Sequence, residues 1–202
     1  MKQTLLEIEE NLKSRNKTDR IMWFSMWAVL SVASFGIAWF PMMYYMIKRR
    51  NTHFQRQQKL ETLILTKIKK TNQKQPQPNI PETKPLNATA WTLLTLLIIP
   101  AFYIFYVLKH DLNKHEEHEH DFLVQIIEYA KEKGEPLNLH GFTATPRFSL
   151  NKYVGLSIVT CGLAAAYWLY RIFNDYNSHI KMQWHNEEEI LRFLKDLDEK
   201  SS

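Results

Sequence analysis

Apolar residues are gathered into three windows, Ile21 to Ile47, Ala88 to Leu108 and Tyr153 to Phe173, which together hold one charged residue, Arg171. Each window is about 20 residues or longer, and a helix of that length crosses a hydrocarbon core of about 30 Å. The pattern therefore predicts three transmembrane helices, over 21–47, 88–108 and 153–173. Beyond each window the apolar positions thin out to spacings of three and four: Leu60, Leu63, Ile64 and Ile68, then Phe122, Leu123, Ile126 and Ile127, then Ile190, Leu191, Leu194 and Leu197. Such spacing marks one face of a helix, so each membrane helix is expected to continue into an amphipathic extramembrane helix. Leu5, Ile8 and Leu12 predict another short amphipathic helix within 1–20. The expected fold class is all-α, an integral membrane protein with three transmembrane helices.

The boundaries are chemical. Pro76, Pro78, Pro81 and Pro85 forbid helix and predict a stiff linker over 71–87. Gly134-Glu135-Pro136 stops the second helix, leaving a loop over 135–152. The units 21–70, 88–134 and 153–202 then read as three repeats. Each carries Tyr, six residues, Asn, one residue, His: Tyr44/Asn51/His53, Tyr106/Asn113/His115 and Tyr170/Asn177/His179.

Composition changes the picture little. The 202 residues carry 26 Lys and Arg against 21 Asp and Glu, a formal charge of +5, and the mean hydropathy is −0.36. That average conceals the windows, because nearly all the charge lies outside them. No polar segment exceeds about 45 residues, too few to bury a convincing core of its own, so a separate soluble catalytic domain is not expected. The single cysteine, Cys161, allows neither an intrachain disulfide nor a Cys-pair zinc site. No paired-carboxylate, nucleophile-with-His or Gly-rich phosphate pattern is present, so no enzyme is expected. The basic stretch lacks interleaved aromatic residues, which argues against nucleic acid.

The run Leu156-Ser-Ile-Val-Thr-Cys-Gly-Leu-Ala-Ala-Ala-Tyr-Trp-Leu-Tyr170, followed by Arg171, resembles the signature of small prokaryotic membrane proteins catalogued as domain of unknown function 4234. There an apolar helix with a Thr-x-Gly step leads through Tyr-Trp-Leu-Tyr into a polar helix. Leu30 to Tyr45 is similar, keeping the step as Phe35-Gly36-Ile37 with Pro41 after it, while the second unit has Pro100 and no Gly. The resemblance implies a protein of a prokaryotic cell membrane and supplies no catalytic residue.

Candidate chemistry is concentrated in the second unit. On a helix Asp111, His115 and His118 fall at i, i+4 and i+7, so a carboxylate and two imidazoles share a face. These donors suit zinc or copper, weakly held, with a partner helix completing the set; no other cofactor is expected. The three repeated imidazoles could meet on a pseudo-threefold axis only if all units faced one way. With three spans, His53 and His179 lie on one side of the membrane and His115 on the other, and each Asn-x-His marks a helix leaving the headgroups. Re-entrant hairpins bent at Gly36, Pro41, Pro100 and Gly162 would put every flank on one side, but each half would have only about ten residues, too short to cross.

Gly36 and Gly162 are expected to let the first and third membrane helices approach closely. Leu60, Leu63, Ile64, Ile68, Ile126, Ile190 and Leu194 must be covered by something, which points to self-association or another membrane protein, besides lipid. The expected function is a non-enzymatic membrane scaffold or accessory subunit. Metal handling by the stretch 110–121 and membrane shaping by hairpins are the alternatives. Lys48-Arg49-Arg50 favours placing 48–87 and the C-terminus in the cytoplasm.

Overall fold

The structure, a computed structural model, describes residues 2–71, 84–141 and 149–200. Most of the expected linker, residues 72–83, and part of the 135–152 loop, residues 142–148, lie outside the described residues. Eight helices are described: α1 (Lys2–Lys13), α2 (Arg15–Thr18), α3 (Phe24–Ala33), α4 (Trp39–Thr71), α5 (Ala88–Leu94), α6 (Ile98–Glu132), α7 (Leu150–Val159) and α8 (Leu163–Lys200). The all-α expectation holds, and the three-span expectation does not. No described helix is long and apolar enough to cross a membrane, so the integral membrane location, and the cytoplasmic side assigned to 48–87 and the C-terminus, lose their basis.

The correction has a local cause. Each expected span is broken near its middle and folds back. Phe35 and Gly36 have φ of 51° and 89°, and Cys161 and Gly162 have φ of 49° and 93°. Left-handed backbone of this kind ends a right-handed helix, and glycine adopts it without a Cβ clash. Pro41 and Pro100 fall in the first turns of α4 and α6, where the missing N–H costs no helical bond. A sum of hydropathy over 20 residues cannot register such a turn, because both arms are equally apolar.

The arms pair as antiparallel hairpins, α3 with α4, α5 with α6 and α7 with α8. Rings at comparable distances from each turn meet across the arms: Trp27 with Tyr45 at 6.3 Å, Trp91 with Tyr103 at 5.5 Å, and Tyr153 with Trp168 at 4.9 Å between centroids. Each short arm also touches the long helix of the preceding unit, α5 on α4, α7 on α6 and α3 on α8. The long arms α4, α6 and α8 therefore run the same way, with the short arms around them.

Two polar clasps close this ring. Asn51 Nδ2 donates to the Leu86 carbonyl at 2.7 Å and its Oδ1 accepts from the Leu86 N–H at 2.9 Å. Asn177 holds Met22 likewise, donating to its carbonyl at 2.7 Å and accepting from its N–H at 3.2 Å. The repeated Asn thus binds the backbone that enters another unit's short arm.

Two apolar clusters lie along the bundle. One, nearer the turns, contains Met42, Met46, Ile104, Leu108, Trp168 and Ile172. The other packs Leu60, Ile64, Ile68, Phe122, Ile126, Ile190 and Leu194 with Ile8 and Leu12 of α1, and Leu63 lies against it. The amphipathic stripes cover one another, so their apolar character no longer calls for an outside partner.

Candidate metal centre

Between the two clusters the long arms bring polar residues inward. A shared register of parallel helices places equivalent positions at one level, and His53, His115 and His179 meet there. Their ring centroids are 5.1–5.5 Å apart and steeply inclined to one another. One ligand atom from each lies within 4.8 Å of the others. His53 and His179 are buried and His115 nearly so, stacked on Phe54 at 4.3 Å.

Glu119, one turn after His115, reaches the same place. Its Oε2 is 3.8 Å from His115 Nε2 and 3.6 Å from His179 Nε2. The repeat supplies Gln57 one turn after His53 and Gln183 one turn after His179, and all three side chains are buried. The fuller motif is therefore Asn-x-His-x3-Gln or Glu. The triplicated spacing could have revealed Gln57, Glu119 and Gln183 in the sequence had it been followed one helical turn further.

A carboxylate orients one imidazole. Asp19 Oδ1 lies 3.0 Å from His53 Nδ1, at ion-pair distance but without hydrogen-bond alignment; a proton on Nδ1 would face this carboxylate and leave the Nε2 lone pair bare. Asp19 is itself held by Trp184 Nε1, which donates at 2.9 Å, and by Arg56, whose Nη2 donates to it at 2.7 Å. Arg56 also donates to Glu187 at 2.6 Å and to Asn11 Oδ1 at 3.2 Å. Burial works to raise the Asp19 carboxyl, but His53, Arg56 and Trp184 together hold it well below the usual carboxylate range.

Burial pushes His53 down to about 4, with His179 and Arg56 adding to the effect against Asp19. His115 is driven well down by burial and by its neighbours His179 and His53. Glu119 moves well up, first through burial and then through the acidic neighbours Glu61, Glu187 and Glu116. Two imidazoles are thus held toward the neutral form, which binds metal, beside a carboxyl whose burial favours its protonated form. His53 Nε2, His115 Nε2 and Glu119 Oε2 are buried with no hydrogen-bond partner among the described residues, and buried polar atoms of this kind are ordinarily met by an ordered water or an ion.

The donor set fits a metal ion. With bonds of about 2.1 Å, tetrahedral ligand atoms stand about 3.4 Å apart. The Glu119 separations are already close to that, and the imidazoles need to draw in by about 1 Å.

The other sequence-derived candidates sit elsewhere. Asp111 accepts from Arg50 at 2.5 Å and His118 Nε2 faces Glu61 at 2.9 Å, so of the face Asp111, His115 and His118 only His115 enters the cluster. Gly36 and Gly162 stand at the turns, with nothing within 4 Å of an added Cβ. Tyr44, Tyr106 and Tyr170 lie toward the outside, beside Lys48, His110 and Phe24 respectively. Asn113, the third repeated Asn, is half-buried on α6.

The pKa shifts set a pH dependence for the metal-free chain. His53 titrates at about 4 when folded and near 6.5 when unfolded. Between those values the unfolded chain binds the extra proton, so the stabilising contribution is complete above about pH 6.5 and is lost as pH falls toward 4. His115 acts in the same direction, while the raised Glu119, Glu187 and His118 act in the opposite one. The His53 contribution is isolated by difference: in chelator-treated protein, the change in urea midpoint from pH 7 to pH 5 should be less unfavourable in His53→Asn than in the wild-type chain.

Compared with family models, with curated proteins and with solved structures, the chain matches none of them.

Proposed function

We propose that this chain is a metal-binding protein, holding one first-row transition-metal ion between α4, α6 and α8. His53, His115 and His179 serve as ligands and Glu119 as the fourth. The observation that carries this reading is the meeting of three repeated imidazoles with a buried carboxylate, three of whose donor atoms have no hydrogen bond. Imidazole and carboxylate without thiolate suit zinc, iron, copper or nickel, and four donors in this arrangement suit zinc best. Asp19 would fix the His53 ring, and the buried amides of Gln57 and Gln183 would offer hydrogen bonds to a bound water or oxygen ligand.

Elemental analysis of the purified chain, after stripping with a chelator and reloading with zinc(II), tests this. One ion per chain is expected, together with a rise in thermal midpoint on loading. The doubly substituted His53→Ala, His115→Ala chain should load none. A wild-type chain that takes up no ion, or a double variant that loads normally, removes the proposal.

A further inference from the structure

The turns of the three hairpins form one end of the molecule, and their side chains are conspicuously bare. Val32, Phe35, Ile98, Ile99, Val159 and Leu163 are each 75% exposed or more. Contiguous apolar surface on this scale marks a binding face. Two further features identify the occupant. The first charged residue on either side of every hairpin is basic: Arg20 and Lys48, Lys84 and Lys109, Lys152 and Arg171. Arg20, Lys48, Lys84 and Lys152 are exposed and Arg171 is half-buried, while Lys109 is buried against Asp175 at 2.8 Å. Tyr45, Tyr103, Tyr167 and Tyr170, all partly or largely exposed, stand between the bare turns and this basic ring. Apolar tip, aromatic belt and cationic collar follow the depth profile of an anionic leaflet.

The dimensions agree. α3 and α7 have ten residues each, about 15 Å of helix, which is half of a roughly 30 Å hydrocarbon core. The first and third turns also satisfy their backbone internally, as a water-free environment demands. Gly36 N–H donates to the Ser31 carbonyl and Gly162 N–H to the Ser157 carbonyl, both at 2.7 Å. Ala38 N–H donates to Ser34 Oγ and Ala164 N–H to Thr160 Oγ1, both at 2.9 Å. A second copy of the chain is a poorer occupant, because docking tip to tip would bring two basic collars together.

We infer that the three hairpin turns are an interfacial docking surface that lies in one leaflet of an anionic lipid bilayer, with no segment crossing it. The inference is independent of the metal centre, which lies further along the long arms.

The test is flotation of the full chain with vesicles of phosphatidylcholine containing phosphatidylglycerol, beside vesicles of phosphatidylcholine alone. The chain should bind the anionic vesicles more tightly and release as salt rises. Phe35→Asp, Ile99→Asp and Val159→Asp together should weaken binding about a hundredfold or more. These exposed side chains lie outside the core, so the helical signal and thermal midpoint should not move. The natural Cys161, exposed at the third turn, reports depth. A fluorophore there should become shielded from an external water-soluble quencher when vesicles are added, and should stay insensitive to quencher sealed inside them. Metal-ligand variants should float normally. Absence of flotation, equal binding by the triple variant, quenching from the lumen, or tip-mediated dimers that ignore vesicles would each overturn the inference.

Discussion

His179→Ala is expected to weaken zinc(II) binding by well over a hundredfold, read by competition with a chromogenic chelator. In the proposed site the side chain is one of four donors, and its loss would delete a coordinate bond rather than loosen one. Asp19→Asn supplies the scale against which that loss is judged. It leaves the four proposed donors in place and removes the charge of the carboxylate that faces His53 Nδ1 at 3.0 Å and also accepts from Arg56 and Trp184, so its affinity is read on folded protein; partners of this kind are worth about 10–100-fold in affinity. Asp111→Asn should change nothing, since that carboxylate pairs with Arg50. The exposed His110 and His120, changed to Ala, should also be silent. The graded order, His179 before Asp19 before Asp111, separates a built site from adventitious capture by an acidic, His-rich surface. Equal losses at Asp111 and His179 would point to the surface instead.

Arg56→Met is expected to destabilise the chain by about 3–5 kcal/mol, because removing one partner leaves buried charge uncompensated. Arg56 is almost fully buried and donates to Asp19, Glu187 and Asn11 at once. It ties the segment after α2 to α4 and α8. Burial raises the Glu187 carboxyl, and Arg56 works against that rise. With the guanidinium gone, Glu187 can take up a proton, whereas Asp19 loses one of the groups that hold it ionised. For a chain of this length the loss corresponds to a fall in thermal midpoint of about 6–20 °C, measurable by far-UV circular dichroism. Arg56→Lys should recover little, since an ammonium has its three donors on one atom and cannot reach Asp19, Glu187 and Asn11 as the guanidinium's separate nitrogens do. Adding Glu187→Leu to Arg56→Met should recover part of the loss by removing one orphaned charge. A midpoint within a degree of wild type for Arg56→Met would contradict this account.

The amphipathic extensions were legible because a helix that buries one face must repeat its apolar residues at three and four, wherever that face is buried. Leu60, Ile64, Ile68, Ile126, Ile190 and Leu194 occupy the core for that reason. The identity of their partner was not legible, since the same stripe serves a neighbouring subunit or a neighbouring helix of one chain. The windows misled for a related reason. Hydropathy reports how apolar a segment is and is silent on whether it runs straight, and the left-handed residues at 35–36 and 161–162 reverse the chain in mid-window. Together with the break between α5 and α6 at 95–97, these reversals put His115 on the side of His53 and His179.

The sequence by itself determined the helical class, the apolar windows and the threefold spacing of Tyr, Asn and His, because each is local and periodic. Only the tertiary structure decided which way the units face, and therefore whether three distant imidazoles and Glu119 share one buried point or lie far apart. Direction is fixed by a few backbone dihedrals at the turns and by side chains such as Asn51 and Asn177 gripping backbone far along the chain, neither of which leaves a periodic trace in the order of residues.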